Sequence, residues 1–573
     1  TCRDWSSDVC SSDLEHPEDF KNGDYSTNVA MVCAKKIGKN PKVLAEEIVE
    51  ELKKNPIPGM GIMVIFEKIE VAGPGFINFY LSRDFFTEKV KEILEKGKDW
   101  GKNSSLAGKK VMVEYTQPNP FKPFHIGHLM SNAIGESISR IVEFSGAKTI
   151  RANYQGDVGP HVAKAIYSIL QSQEYLEVGL SNIGSLTSNN KIAQYIGECY
   201  SKGSNLYDTD ENIKKEIDEI NKKIYNKSDE EINKIYDWGR KVTLEAFEEI
   251  YKTLGTKFNY YFFESQMAPI GEKIIRENIG KIFEESDGAI IFQAENYDKK
   301  LHTRVFINSQ GLPTYETKEI GLTITKFEKE NPDISIVTTA IEQAEYMKVA
   351  QKAISLIHPD LGNRMKHVTH GMMRLAEGKM SSRKGNVITG ESLLRDSMDI
   401  VLLKVKDREL SDDEKRKISE IVGVAALKYS ILKSSLGSDI IYDQEKSISF
   451  DGDSGPYLQY TAVRANSILE KAKEFNLEAR KYSSETNLEI IDLEKLIYQF
   501  PEIIKRSYDL LEPHHITTYL TQLASSFNAF YRNTKILDNE NKYLSYHLNL
   551  IKAFYQTMKN GLYLLGIEIP EKM

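Results

Sequence analysis

Two short runs in this chain carry residue types that can handle phosphate. In the first, His125-Ile126-Gly127-His128 follows Pro118-Asn119-Pro120-Phe121-Lys122-Pro123-Phe124. Imidazoles three residues apart at the start of a helix can donate hydrogen bonds to phosphate oxygens. The helix N-terminus adds its own N–H groups and the positive end of its dipole. Gly127 leaves no side chain where a ligand ring must pack closely. The second run, Lys379-Met380-Ser381-Ser382-Arg383-Lys384-Gly385, lies in a Gly/Ser-rich loop. Such a loop can close over a triphosphate and hold charge that develops in a transition state. Alone, each run is weak. A histidine pair at this spacing is more often surface or metal-binding, and a basic loop is usually just solvated.

Positioning these groups requires a scaffold, and the flanking pattern predicts one. Val111–Tyr115 reads as a strand, followed by a Pro-containing loop. A helix begins near His125, with Leu129, Ala133, Ile134, Ile138, Ile141 and Val142 on one face, and Gly146 ends it. Thr149–Tyr154 is the next strand, and Ser335–Ala340 and Val368–Met373 read as later strands of the same sheet. Strands alternating with helices imply a doubly wound parallel sheet, which binds ligands beyond the C-terminal ends of its strands. From about Ala163 to Gln266 the chain is helical and highly charged, most clearly over Asn212–Asp237. It reads as an insertion whose charges form a solvated helix face. Upstream, Lys42–Lys54 has helical spacing, and Ile69–Leu81 reads as a strand around a Gly73-Pro74-Gly75 turn. Downstream, Asp412–Ser435 is a strongly amphipathic helix, and the pattern is all helical beyond about Phe450.

Bulk properties narrow the class. The 573 residues imply several domains. Hydrophobic content of 40% and charged content of 28% suit a chain with several cores, and no apolar run is long enough to cross a bilayer. The net charge of −8 argues against a generally basic nucleic-acid coat but allows a local positive face. The last 123 residues hold 14 Lys/Arg against 16 Asp/Glu, so bulk charge does not mark them as RNA-binding. Cys2, Cys10, Cys33 and Cys199 form no Cys-x-x-Cys pair, which argues against a disulfide framework or structural zinc site. Residues 1–14 lack an apolar core for a signal peptide and read as translated adapter sequence joined to a truncated start.

Taken together, in this order and with these neighbours, the two phosphate-handling runs resemble the two halves of the ATP site of class I aminoacyl-tRNA synthetases. Among these, the chain resembles the arginyl family. Most class I enzymes carry a second lysine where this chain has Ser382. Many arginyl enzymes lack it and carry a lysine just upstream of the first run, where Lys122 stands. The resemblance implies a multidomain α/β chain. Its parts would be a tRNA-elbow-binding α+β domain over residues 15–105 and a Rossmann-like catalytic domain over 106–390, with the insertion at about 163–266. A helical connector over 391–450 and an all-α anticodon-binding domain over 451–573 would follow. The elbow domain rests on Gly23–Ala30 and Gly75–Phe79, and the anticodon domain on Tyr460–Ser467, Glu512-Pro513-His514-His515 and Phe527–Tyr531.

The implied reaction is ATP- and Mg2+-dependent ligation of L-arginine to tRNA(Arg) through an arginyl-adenylate, by a cytoplasmic monomer. His125, His128, Lys379 and Lys122 would be catalytic. Gly127, Met380, Ser381, Ser382, Arg383, Lys384 and Asp157 would meet ATP. A guanidinium needs planar, carboxylate-rich recognition, and the family's pocket maps onto Glu114, Gln117, Asn119, Tyr315, Glu319 and Gln343. The family usually has Asp at the Glu319 position and often Ser at Gln117. A class I lysyl or cysteinyl synthetase is weaker: the Lys122/Ser382 exchange speaks against the first, and the missing cysteine cluster against the second. A non-catalytic RNA-binding paralogue need not have kept His125, His128 and Lys379.

Overall fold

The computed structural model describes residues 14–54, 65–183, 188–376, 389–475, 477, 488–538 and 540–573. Residues 1–13, most of the adapter-like start, lie outside them. Contacts divide the chain into two compact units that do not follow chain order. One comprises 1–101, 461–503 and 519–560, the other 102–460, 504–518 and 561–573.

In the first unit, strands β1 (Leu14–Glu15), β2 (Tyr25–Thr27), β3 (Phe66–Ala72) and β4 (Phe76–Leu81) form an antiparallel sheet in the order β1-β2-β4-β3. The expected Gly73-Pro74-Gly75 turn joins β3 to β4, and positive φ angles of 53° and 134° at its two glycines explain the residue choice. Helices α1 (Val29–Ile37) and α2 (Pro41–Lys54) cover the sheet, burying Ala30, Ala34, Leu44, Ala45 and Val49 against Ile69 and Ile77. Helix α3 (Arg83–Lys96) begins with Arg83, whose guanidinium pairs with the buried Glu494 carboxylate.

In the second unit the central sheet is built from β5 (Lys110–Glu114), β6 (Lys148–Gln155), β7 (Tyr260–Phe263), β11 (Ile334–Ala340) and β12 (Met365–His370). Every pairing is parallel, in the order β12-β11-β5-β6-β7. Val111, Met112 and Val113 are all fully buried, as a strand covered on both faces requires. After β5 the chain runs outward one way through β6 and β7, then returns to β5's other side as β11. The strand order therefore reverses at β5, making the gap beyond β5 and β11 the ligand-binding crevice expected of this architecture.

Helix α4 (Ile126–Phe144) connects β5 to β6. Between β6 and β7 run helices α5 (Pro160–Leu170), α6 (Gln173–Ile183), α7 (Asn189–Thr209), α8 (Glu211–Asn226) and α9 (Glu230–Thr253). The insertion is helical as expected, but its final residues include β7, an edge strand of the central sheet. After α10 (Glu264–Glu277), an unanticipated antiparallel sheet of β8 (Glu284–Ser286), β9 (Ala289–Phe292) and β10 (Arg304–Ile307) precedes α11 (Tyr315–Glu330). Helix α12 (Ala344–Ile357) joins β11 to β12.

The expected single strand Val368–Met373 is two. β12 stops at His370, and β13 (Met373–Leu375) pairs instead with β14 (Ile440–Tyr442). The break falls at Gly371, where a Cβ would lie 2.3 Å from the Ser438 carbonyl oxygen. The remaining helices are α13 (Gly390–Lys404), α14 (Asp412–Leu432), α15 (Gln444–Ser447), α16 (Gly455–Glu474), α17 (Asp492–Ile497), α18 (Phe500–Leu510), α19 (His514–Asn533) and α20 (Leu544–Leu564). No helix among the described residues is long and apolar enough to cross a membrane.

Candidate active site at the sheet switch point

The site begins where β5 ends. Glu114 is the last residue of the strand and is buried. Thr116 and Gln117 then turn the chain through left-handed backbone, with φ of 78° and 53°. Such conformations cost energy in non-glycine residues and persist only where the surroundings enforce them. Here the Thr116 N–H donates to Ser131 Oγ at 3.0 Å, Asn132 donates to Thr116 Oγ1 at 2.9 Å, and the Gln117 N–H donates to Asn153 Oδ1 at 3.2 Å. Asn119 Oδ1 accepts the Gly156 N–H at 3.1 Å. A Cβ on Gly156 would lie 2.5 Å from that oxygen and 3.1 Å from Glu264 Oε1, so the close approach requires glycine.

His125 is the N-cap of α4, and its backbone N–H donates to His128 Nδ1 at 3.2 Å. A neutral His128 therefore carries its proton on Nε2. The two rings stack with centroids 3.4 Å apart. A Cβ on Gly127 would sit 3.0 Å from the His125 ring, so the stack itself favours glycine there. Desolvation, with the Lys122 ammonium adding to it, holds His125 down to about 4. Burial, His125 and Lys122 hold His128 well below its ordinary range. Both rings are thus neutral N–H donors near pH 7. Lys122 is itself lowered by burial, with Glu264 opposing, and its Nζ lies 5.1 Å from the centre of the Tyr200 ring on α7.

The second run falls on residues 377–388, so Lys379, Met380, Ser381, Ser382, Arg383 and Lys384 lie outside the described residues. Its flanks are defined. The Ala376 N–H donates to the Tyr442 carbonyl at 3.0 Å. On the other side, Thr389 forms an antiparallel bridge with His125, and the Gly390 N–H donates to the Phe124 carbonyl at 2.8 Å. Thr389 and Gly390, which follow the second run, are thereby fastened to the start of the first.

A set of buried charges borders this corner. Glu114 accepts Lys326 Nζ on Oε2 and Gln117 Nε2 on Oε1, both at 2.8 Å. Lys318 gives its ammonium to Glu264 at 2.6 Å. Burial works against the Lys318 charge, but Glu264 more than offsets it and raises the ammonium. Glu319 has no ion pair among the described residues, only a long 3.4 Å hydrogen bond from Thr323. Burial, reinforced by the Glu114 charge and opposed by Lys326, pushes it up to about 7. The Tyr154 hydroxyl is buried without a hydrogen-bond partner among the described residues; Glu264, Glu319 and Glu114 all raise its pKa, after desolvation. Tyr346 on α12 is raised well above the ordinary range by desolvation, then by Glu319 and Glu114.

Glu114, Gln117, Asn119 and Glu319 thus lie around one corner. Tyr315, one turn before Glu319 on α11, is exposed, with its ring 5.3 Å from Lys318 Nζ. Gln343 is exposed in the turn after β11. Asp157, which the resemblance assigns to ATP, is buried, and its carboxylate accepts from Arg240 Nε (2.9 Å), the Ser265 N–H (2.8 Å), Ser265 Oγ (2.7 Å) and the Tyr236 hydroxyl (3.3 Å). It joins the insertion helix α9 to the start of α10. Sequence reasoning missed Glu264, Lys318, Lys326, Tyr154 and Tyr346. The one available signal was the spacing of Glu319, Thr323 and Lys326, which places three polar residues on one stripe of a helix buried on most sides.

Comparison with known proteins matches the chain to a family. Residues 89–444 match the model for tRNA synthetases class I (R), catalytic domain. Residues 458–573 match the DALR anticodon binding domain, and residues 4–81 the arginyl tRNA synthetase N terminal domain. The chain belongs to the class I arginyl-tRNA synthetases. Among its relatives, the arginine–tRNA ligase of Halothermothrix orenii is 31% identical over 565 residues, spanning 98% of this chain and 95% of the relative. That of Clostridium perfringens is 30% identical, spanning 98% and 96%. The fold matches that of Thermus thermophilus arginyl-tRNA synthetase with a TM-score of 0.77 at 22% identity, over 98% of this chain and 96% of that one. As an arginyl-tRNA synthetase, the chain uses ATP to charge tRNA with arginine.

Proposed function

We propose that the corner beyond β5 and β11 holds arginine by its guanidinium against Glu319 and Glu114, with ATP across the first helical turn of α4. The observation that carries this reading is the charge count of one buried group. Glu114 and Glu319 share the single ammonium of Lys326, so with both ionised one negative charge is uncompensated. A buried anion of this kind is costly unless a cation joins it, and a guanidinium is planar, permanently charged and rich in donors. Gln117 fixes the Glu114 carboxylate, Asn119 meets the α-amino or carboxylate end, and Tyr315 and Gln343 close the rim.

The arginine carboxylate attacks the α-phosphorus of ATP, the bond to the β-phosphate oxygen breaks, and pyrophosphate leaves. His125 and His128 donate neutral N–H groups to the phosphates, Gly127 leaves room for the nucleoside, and Lys122 with Lys379 meets the growing negative charge. Met380, Ser381, Ser382, Arg383 and Lys384 belong to the loop that covers the triphosphate. A terminal ribose hydroxyl of tRNA(Arg) then attacks the arginyl carbonyl, and AMP leaves. The first motif offers nitrogen donors rather than the carboxylates Mg2+ prefers, so Mg2+ enters on the phosphates as part of the MgATP substrate.

Residues 15–105 serve the tRNA elbow, 106–390 catalysis, 391–450 connection and 451–573 the anticodon, in a cytoplasmic monomer. An aminoacylation assay with total tRNA and each amino acid in turn tests the reading. Arginine should be charged, dependent on ATP, Mg2+ and tRNA(Arg). Preferential charging of lysine or cysteine would overturn it.

A further inference from the structure

The corner between α18 and α19 carries Glu512-Pro513-His514-His515, residues the charging reaction does not use. The chain reaches it through a tight closure. Leu511 adopts left-handed backbone with φ of 56°, and the Glu512 N–H donates to the Ser507 carbonyl at 2.9 Å. Pro513 then leads into α19, its carbonyl accepting the Ile516 N–H at 2.9 Å. This geometry turns three potential ligand atoms toward one point. His514 Nδ1 lies 3.6 Å and His515 Nε2 3.4 Å from the same oxygen, Glu512 Oε2. All three atoms fall within 4.8 Å of one another.

Among the described residues these two ring nitrogens face only Glu512, at separations long for a hydrogen bond, and both atoms are shielded from solvent. Two shielded ring nitrogens that share one carboxylate oxygen at such distances regain little of the hydration they lose. Their spacing suggests what satisfies them. In a tetrahedral zinc site, bonds of about 2.0–2.1 Å place neighbouring ligand atoms about 3.3–3.4 Å apart. The two nitrogen–oxygen separations are close to that edge length.

We propose that Glu512, His514 and His515 form a site for a divalent transition metal of the zinc type, with two imidazoles, one carboxylate and a fourth position open to water. The donor set matches the nitrogen–oxygen preference of Zn2+ rather than the all-oxygen preference of Mg2+ or Ca2+. The ion would tie the end of α18 to the start of α19. The helix ends partly cancel here: the positive end of α19 disfavours a cation, and the negative end of α18 favours one. Arg506, on α18, acts electrostatically on His515 and weakens the site.

The test uses the full chain, stripped with a chelator and titrated with Co2+ as a spectroscopic substitute, then with Zn2+. The expected result is a visible absorption band of four-coordinate cobalt that saturates at one ion per chain and is displaced by Zn2+. Glu512→Gln and His515→Gln should each weaken binding on the order of 100-fold, with the helical circular dichroism unchanged. Absence of a saturable band in the wild-type chain would overturn the proposal. So would a band that survives at equal affinity in both variants, since the ion would then lie elsewhere.

Discussion

Lys326 stands on the same stripe of α11 as Glu319, two turns further on, yet it gives its ammonium to Glu114 at 2.8 Å. Both partners are at least 98% buried. The pair leaves Glu319 without an ion-pair partner among the described residues, and the guanidinium contact proposed above falls to it. Glu319→Ala should therefore lower kcat/KM for arginine while leaving KM for ATP nearly unchanged. A buried charge pair that loses one partner typically costs about 3–5 kcal/mol, or more than a hundredfold. Steady-state pyrophosphate exchange with each substrate varied checks this, and an unaltered arginine KM would remove Glu319 from the pocket.

Gly156→Ala tests the packing behind Asn119. The added methyl would lie 2.5 Å from Asn119 Oδ1, so the amide must move. Overpacking of this kind costs about 1–3 kcal/mol. The loss should appear as a raised KM for arginine, and Gly156→Ala combined with Asn119→Ala should be no worse than Asn119→Ala alone. Additive losses would show that Gly156 acts through something else.

Lys122→Ala tests whether this lysine supplies what Ser382 cannot. Its contact strengthens only as charge builds on the phosphates, so kcat should fall with little change in arginine KM. Ser382→Lys in that background should restore part of the rate. Wild-type rates of both pyrophosphate exchange and arginyl transfer in Lys122→Ala would shift the role to Arg383 or Lys384.

Lys428 on α14 gives a pH prediction for stability. Its Nζ donates to the Leu254 and Gly566 carbonyls, each at 2.6 Å, and burial, with Arg140 adding, holds it down to about 7 from the ordinary 10.5. Between these values the unfolded chain binds more protons than the folded one, so stability rises with pH across that window. Lys428→Met should flatten the rise. The check is the difference in urea midpoints between wild type and variant through the window; parallel pH curves would count against it.

The scaffold was legible because its signals are local. Val111–Val113 is a fully apolar run, and α4 repeats apolar residues at helical spacing, so β5, α4 and β6 follow from the residues alone. The sheet β8-β9-β10 was not legible. Its strands are three or four residues long, and β8 is Glu284-Glu285-Ser286, which reads as exposed loop. In the site, His125, His128 and Glu114 could be picked out by motif. Lys318 and Lys326 could not, because their partners Glu264 and Glu114 lie 54 and 212 residues away. The surroundings of Asp157 were hidden for the same reason: its position in a family motif was visible, but its partners Arg240 and Ser265 were not.

The raised Glu319 has a calorimetric consequence. A carboxyl with a pKa of about 7 is partly protonated near neutrality, and a guanidinium beside it favours the ionised form. Arginine binding near pH 7 should then expel a fraction of a proton into the medium. The heat of binding measured in two buffers of different ionisation enthalpy would differ in proportion to that fraction. The release should vanish well above pH 7, where the pocket is already ionised before the amino acid arrives.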